Sequence, residues 1–379
     1  MKKKILFTAN LSSFFIKFLI PQLKWFKDNG YEVHIAAKME NFEIPYCDKV
    51  FDVDFARGFN VKQNITSYKQ MVEIFKNEEY DIVSCHTPFG GAITRLAAKK
   101  CKLKNTRIVY MAHGFHFYKG APLPKYLLYY TAEKWLANYT DEIITINLED
   151  YEVAKAKFNT KVSYVEGVGL DKNKFEFEFA ETEKDELRKS LNIKDDDFVM
   201  IYPAELLPRK RQEWLINTLA PIMKENPRFK LLLPGRDSMN GFCQSLAKKH
   251  SLEDRIHFLG FRRDIPKLIK ISDLAVSSSN QEGLPVNVME AIYVGLPIVA
   301  TACRGNADLI DNGKNGYIVD INDSKGFCEN VMKVYGMPES EKAEIKEYDK
   351  TVISQYLLEN VIEKIVNIYV SKTENSNET

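Results

Sequence analysis

From end to end, short apolar and β-branched runs alternate with stretches of helical periodicity. This alternation restricts the chain to parallel sheets covered by helices on both faces. In the front half the strand candidates are Lys4–Ala9, Glu32–Ala37, Val50–Phe55, Ile82–His86, Arg107–Ala112 and Glu142–Ile146. In the back half they are Phe198–Pro203, Lys230–Leu233, Arg255–Leu259, Leu274–Ser277, Pro297–Ala300 and Tyr317–Val319. Helical patterns at Gln212–Lys224, Met239–His250, Ile265–Ile271 and Val286–Val294 separate the latter. The charged stretch Asp171–Asp197 reads as a linker plus one short exposed helix. After Pro338, the residues Ile353, Tyr356, Leu357, Val361, Ile365 and Ile368 keep a near-helical period, and the polar tail Lys372–Thr379 is expected to fray. The chain of 379 residues is long enough for two cores. The expected α/β architecture is two Rossmann-like domains facing a cleft. They cover residues 1–170 and 171–350, and a C-terminal helix at about 353–372 crosses back to the first.

Charge is nearly balanced, with 53 basic and 52 acidic side chains, but it is unevenly spread. Residues 1–170 carry 24 Lys and Arg against 18 Asp and Glu, so an anionic partner is expected for the front half. Cys47, Cys85, Cys101, Cys243, Cys303 and Cys328 lack paired spacing and read as reduced residues, neither a disulfide frame nor a zinc site. The Met1–Phe7 start resembles a signal peptide only superficially. Asn10, Ser12, Ser13 and Lys17 interrupt it, so a first strand is the better reading. No apolar run approaches the ~20 residues that span a bilayer. The expected location is the cytoplasm, with peripheral contact to the inner face of the membrane.

The segment Gln281–Ala291 holds two carboxylates eight positions apart, separated by a Gly283-Leu284-Pro285 turn. Glu282 falls just past the carboxyl end of a strand and Glu290 inside the following helix. Open α/β sheets bind ligands at that edge, and the helix start favours a phosphate. One anion site flanked by two hydroxyl acceptors fits a nucleotide-sugar; an ordinary helix with a solvent-facing glutamate is the alternative. Leu206-Leu207-Pro208-Arg209-Lys210-Arg211 puts three cations at a helix start, where the dipole disfavours them. A diphosphate would supply the reason. Ala112-His113-Gly114 places an imidazole at another strand end, where it could meet a sugar hydroxyl or serve as a buried structural residue. His86-Thr87-Pro88 repeats the arrangement.

Between Asp81 and Glu133 there is no carboxylate, while Lys and Arg interleave with Tyr118, Tyr126, Tyr129 and Tyr130. Phe14, Phe15, Phe18, Trp25 and Phe26, with Lys17, Lys24 and Lys27, form a second such patch. Both suit an anionic membrane surface; a solvated basic face is the alternative for the interval, and core packing of the rings is the alternative for the second patch. No nucleic-acid reader motif is present, so no nucleic-acid partner is expected. Asp52-Val53-Asp54 lacks a third ligand and is not read as a metal site.

Glu282–Thr301 resembles the donor-site signature of the retaining glycosyltransferases of family four, which share the GT-B architecture. Ala112–Gly120, Thr145–Tyr151 and Cys303–Ile310 are similar to the EpsD-like bacterial members that build capsule and exopolysaccharide. The resemblance implies that Glu290 holds the ribose hydroxyls of the nucleotide. It implies that Glu282, with the amides of Gly283 and Leu284, holds the donor sugar. Pro285 and Arg304 would complete the donor side. Lys210 and Arg209 would neutralise the diphosphate, and His113 would face the transferred sugar. Ser12, Ser13, His86 and Gly169 would line the acceptor side or the cleft. The chain departs from the family at Glu205, where many members have Arg. It also departs at Asn10–Ser13, which replace a Gly-Gly turn, and at Lys17 and Leu19, where relatives often carry histidines.

The expected activity is a metal-independent retaining hexosyltransferase that needs no cofactor. It would use a UDP-sugar in preference to a GDP-sugar. The expected partners are an undecaprenyl-diphosphate-linked saccharide acceptor and an anionic membrane surface. A sugar-nucleotide epimerase of the same architecture and a noncatalytic nucleotide- or glycan-binding protein are the alternatives.

Overall fold

The computed structural model describes residues 2–40, 43–103 and 105–371; Lys104 of the acid-free interval and the tail Lys372–Thr379 lie outside them. The chain divides into two compact units, Met1–Val168 with Val361–Thr379, and Gly169–Asn360. The first unit is built on β1 (Lys4–Leu11), β2 (Glu32–Lys38), β3 (Lys49–Asp52), β4 (Ile82–His86), β5 (Arg107–Ala112), β6 (Glu142–Thr145) and β7 (Lys161–Tyr164). These form one sheet in the order β3-β2-β1-β4-β5-β6-β7, with every neighbouring pair parallel. β4 and β6 are buried at every residue, because helices cover both faces of the sheet. Strands of this kind show no in-out alternation and stand out as apolar runs.

The edges are less legible. β7 is short, polar and partly exposed, and its Lys-Val-Ser-Tyr sequence carries no apolar run to mark it. β3 ends at Asp52, before the expected Phe55. There the Asp52 carboxylate accepts the Met39 N–H at 3.0 Å, and Asp54 pairs with Lys38 at 2.8 Å. Both aspartates are thus committed at an edge that the chain is leaving.

After β1 the chain forms two helices, Ser12–Phe18 and Ile20–Asp28, with Pro21 in the first turn of the second. Phe15 and Phe26 lie in the core, Lys24 pairs with Asp28, and Lys27 pairs with Asp48. Two of the five rings of the expected membrane patch are therefore interior, and two of its three lysines are paired. Two tyrosines of the acid-free interval, Tyr126 and Tyr130, likewise pack edge-on against the buried Phe117. The exposed apolar side chains of the helix Leu123–Leu136 are Leu123, Leu127, Leu128 and Trp135.

The second unit holds β8 (Phe198–Ile201), β9 (Phe229–Pro234), β10 (Ile256–Gly260), β11 (Leu274–Ser277), β12 (Ile298–Thr301) and β13 (Gly316–Val319), in the order β10-β9-β8-β11-β12-β13. The order reverses between β8 and β11, the switch point at which doubly wound sheets take their ligands. Asp171–Asp197, expected as a connector, lies wholly inside this unit and contains the helix Glu181–Ser190. Arg188 ties that segment down by donating to the Ile271 carbonyl at 2.9 Å.

The tail is two helices instead of one. Glu339–Ile353 ends in a short turn, Leu357 is extended, and Leu358–Val370 follows. Leu357 bridges to Leu170, and Gly169 lies so near that a Cβ on it would sit 2.7 Å from the Leu358 Cα. From Val361 onward the last helix belongs to the first unit, where Lys364 pairs with Glu166 at 2.6 Å.

Three strand ends meet at Gly235, whose N–H donates to the Gly260 carbonyl at 2.7 Å. A Cβ there would lie 1.9 Å from the Ala204 carbonyl oxygen, a backbone atom with no room to yield. Gly235→Ala should lower stability by about 1–3 kcal/mol, read as a reduced midpoint in urea unfolding. An unchanged midpoint would show that the loop ends are not locked by this contact.

Candidate active site

In the second unit the loop after β8 and the loop after β11 meet at the switch point. Tyr202 leaves β8, and its hydroxyl reaches Ser279 Oγ at 2.7 Å and the Lys210 carbonyl at 3.2 Å. Ser278 Oγ donates to the same carbonyl at 2.8 Å, and the Asn280 N–H donates to the Arg209 carbonyl at 3.0 Å. The two loops are therefore stitched through backbone groups before any ion pair forms. Arg211 turns the chain with φ 56° at the start of the helix Gln212–Glu225. Its guanidinium points away, to the Ile321 carbonyl at 2.6 Å. Of the three cations expected together, Arg209 and Lys210 converge and Arg211 is a structural residue.

Glu282 is the centre of the convergence. Its carboxylate is ion-paired with Lys210, accepts from Arg209 at 3.2 Å, and accepts from Ser279 Oγ at 2.5 Å. Arg304 Nε donates to its backbone carbonyl at 2.9 Å. The residue is 7% exposed. Burial alone would raise its carboxyl pKa, but Lys210 and Arg209 more than offset that and hold it below the usual carboxylate range. Two cations at a helix start, unexplained by the helix itself, thus have a local partner. Gly283 and Pro285 pack against Gly305: a Cβ on Gly305, at φ 84°, would lie 2.5 Å from the Gly283 carbonyl oxygen. Leu284 is buried and Pro285 is the residue that precedes the helix Val286–Val294. The position noted at Glu205 holds no cation; its carboxylate accepts from Ser238 Oγ at 2.6 Å.

Glu290 lies in that helix, partly buried, and forms no ion pair among the described residues. Burial raises its pKa from the ordinary 4.5 to about 7, with Lys174 opposing weakly. Burial of this carboxyl is thus poorly compensated.

Except for Gly169, the remaining site candidates lie in the first unit. His113 follows β5, and its Nε2 is 3.0 Å from His86 Nδ1 at the end of β4. Burial lowers both imidazole pKa values, that of His113 to about 4, so both rings are neutral at pH 7. Phe14 and Phe18 pack against the His113 ring. Ser12 is buried, and its Oγ accepts the Glu40 N–H at 2.9 Å; the Ser13 N–H donates to the Glu40 carboxylate at 2.9 Å. Gly169 belongs to the second unit and packs on Leu358. Sequence reasoning missed Asn10, whose Oδ1 accepts from Thr87 Oγ1 at 2.6 Å and the Gly90 N–H at 2.7 Å, binding the end of β1 to the helix Pro88–Cys101. It also missed Tyr202, Ser278 and Ser279. The Ser277-Ser278-Ser279 run directly before the Glu282 turn was the available signal. Among the described residues no group of three or more His, Cys, Asp or Glu is placed to hold a metal ion.

Glu290 yields a pH prediction. Its folded pKa lies above its unfolded value, so the folded state retains a proton that the unfolded chain has lost. Stability from this group therefore falls as pH rises from about 4.5 to about 7, by a few kcal/mol at most. In urea unfolding followed across that range, Glu290→Gln should flatten the slope. An identical slope in the variant would contradict the burial of this carboxyl.

The model of the family "Glycosyl transferases group 1" matches residues 183–351, and that of "Glycosyl transferase 4-like" matches residues 4–147. A Bacillus subtilis (strain 168) protein described as a candidate glycosyltransferase, EpsD, is 38% identical over 371 residues, covering 97% of each chain. The Escherichia coli UDP-Gal:alpha-D-GlcNAc-diphosphoundecaprenol alpha-1,3-galactosyltransferase is 27% identical, with 80% of each chain covered. The solved structure of Anabaena HepE in complex with UDP and glucose aligns over 97% of this chain and 99% of its own, with a TM-score of 0.77 at 19% identity. That last likeness is one of fold. The chain belongs to the group 1, family-four glycosyltransferases of GT-B fold, and within them to the EpsD-like group.

Proposed function

We propose that this glycosyltransferase is a retaining, metal-independent hexosyltransferase. It moves a sugar from a UDP-sugar to an undecaprenyl-diphosphate-linked saccharide in surface polysaccharide synthesis. The convergence of Lys210, Arg209 and Glu282 at the switch point of the second sheet carries this reading. An arriving diphosphate competes with Glu282 for the two cations, and the released carboxylate becomes an acceptor for donor-sugar hydroxyls. Glu290 takes the ribose hydroxyls from the neighbouring helix. Gly283, Leu284, Pro285 and Arg304 shape the donor side, and His113 faces the transferred sugar. The assigned roles make the second unit the nucleotide-sugar domain and the first the acceptor domain. The UDP and glucose bound by HepE and the lipid-linked acceptor named for the Escherichia coli relative support the substrate classes.

The chemistry follows from charge. The bond between the anomeric carbon and the diphosphate oxygen lengthens, and its electrons pass to the diphosphate. Lys210 and Arg209 stabilise that developing charge, the role a divalent ion takes elsewhere. The acceptor hydroxyl attacks from the same face, and its proton goes to the departing phosphate. Glu282 as a covalent nucleophile fits less well, because its carboxylate is engaged by two cations and Ser279. Nucleotide-sugars screened for thermal stabilisation, with the best donor then offered to membrane extract, test the reading. Lys210→Ala should lower turnover about 10²–10³-fold. Near-normal turnover removes Lys210 from the mechanism, and an epimer formed from donor alone favours the epimerase.

The acceptor implies work at a membrane. Among the described residues no helix is long and apolar enough to cross one. The exposed leucines of Leu123–Leu136, close in sequence to Lys119, Lys125 and Lys134, form the contact we favour. Phe59 adds an exposed ring packed against Tyr129 of the same helix. The double variant Leu123→Glu, Leu127→Glu should lose cosedimentation with vesicles of anionic phospholipid. Undiminished binding would place the contact elsewhere.

A further inference from the structure

The His86–His113 pair continues inward. Ser84 Oγ lies 2.8 Å from His86 Nε2 and 2.6 Å from the hydroxyl of Tyr369, in the helix Leu358–Val370. Tyr369, Ser84 and His86 are all essentially without solvent exposure. The row Tyr369, Ser84, His86, His113 lies within the first unit and joins the C-terminal helix to the end of β5.

Each link needs one proton, and the four groups have few ways to supply them. If His113 donates from Nε2 to His86, His86 must donate from its own Nε2 to Ser84, and Ser84 to Tyr369. The buried Tyr369 proton then requires a further acceptor. Among the described residues this hydroxyl has no hydrogen-bond partner besides Ser84. If Tyr369 and His86 both donate to Ser84, the Ser84 proton is stranded in the same way. One arrangement strands no proton inside the row and leaves over only that on His113 Nδ1, at the partly exposed end. Tyr369 donates to Ser84, Ser84 donates to His86 Nε2, and His86 donates from Nδ1 to His113 Nε2.

We propose that Tyr369 and Ser84, acting through His86, are positioning residues that fix His113 as the Nδ1–H tautomer. His113 Nε2 is consumed as an acceptor inside the protein. The ring nitrogen left for a ligand carries a proton, so His113 acts toward it as a hydrogen-bond donor and not as a base. With the sugar-facing role given to His113 above, on which this step rests, the recognised group is an oxygen with a free lone pair on the donor sugar. The aromatic packing of Phe14 and Phe18 holds the ring in place but does not select the tautomer; the hydroxyl row does.

The test is nitrogen-15 NMR of the full chain with labelled histidine, the His113 signals being assigned by their loss in His113→Gln. The free protein should show protonated Nδ1 and unprotonated Nε2. The opposite tautomer overturns the proposal. Ser84→Ala should convert His113 to a mixture of tautomers, while Ser84→Thr, which keeps the hydroxyl, should retain one. A single Nδ1–H tautomer in Ser84→Ala would show that the row does not set it. Tyr369→Phe removes one oxygen only and serves if Ser84→Ala does not fold; here a shift of the His86 Nε2 signal is expected, and an unmoved signal counts against the row. UDP-glucose and the other UDP-sugars are then added. A correct tautomer with no response of the His113 Nδ1 signal to any of them would refute the sugar-facing role and leave the wiring intact.

Discussion

A buried carboxylate between two loops organises the second unit. Glu282 is withdrawn from water and would be costly there without compensation. Lys210, Arg209 and Ser279 provide it, drawn from the ends of two strands that neighbour each other at the point where the strand order reverses. The same contacts explain why a helix can begin with cations that its own dipole opposes. In the function proposed above, they also hold the two cations ready for a diphosphate.

The first unit meets its corresponding problem with neutral groups. At the ends of β4 and β5 two imidazoles are buried among aromatic rings, where neither can hold a charge at pH 7. Their order comes from hydrogen bonding through Ser84 to the last helix. One unit therefore offers fixed charge and the other a fixed dipole. The row through Ser84 also gives the C-terminal helix a chemical role in addition to its packing.

Much of this is legible in the sequence alone. The buried strands announced themselves because parallel sheets covered on both faces need unbroken apolar runs. Glu282, Lys210 and Glu290 could be singled out because each stood near a strand end or helix start in a pattern with a chemical purpose. The failures have physical causes as well. β7 is an edge strand with little to bury. Asp171–Asp197 does contain the expected exposed helix, Glu181–Ser190, but its anchorage through Arg188 to Ile271 spans 83 positions and carries no sequence signal. The tyrosines of the acid-free interval, grouped with its lysines by composition, are only partly exposed, because rings such as Tyr126 and Tyr130 pack against Phe117. Arg211 stood beside Lys210 in sequence and is turned away by a single left-handed residue.

By itself the sequence determined the layered architecture, the residue types at the strand ends and the family they belong to, because these depend on local periodicity and on short motifs. Only the tertiary structure decided the partnerships: that Glu282 meets Lys210 from 72 positions away, that Asn10 ties β1 to Gly90, and that Tyr369 reaches Ser84 across 285 residues. Such pairs carry no periodic signal. They arise where strand order brings distant ends together, and strand order is set by the packing of whole elements, to which each of these side chains contributes almost nothing.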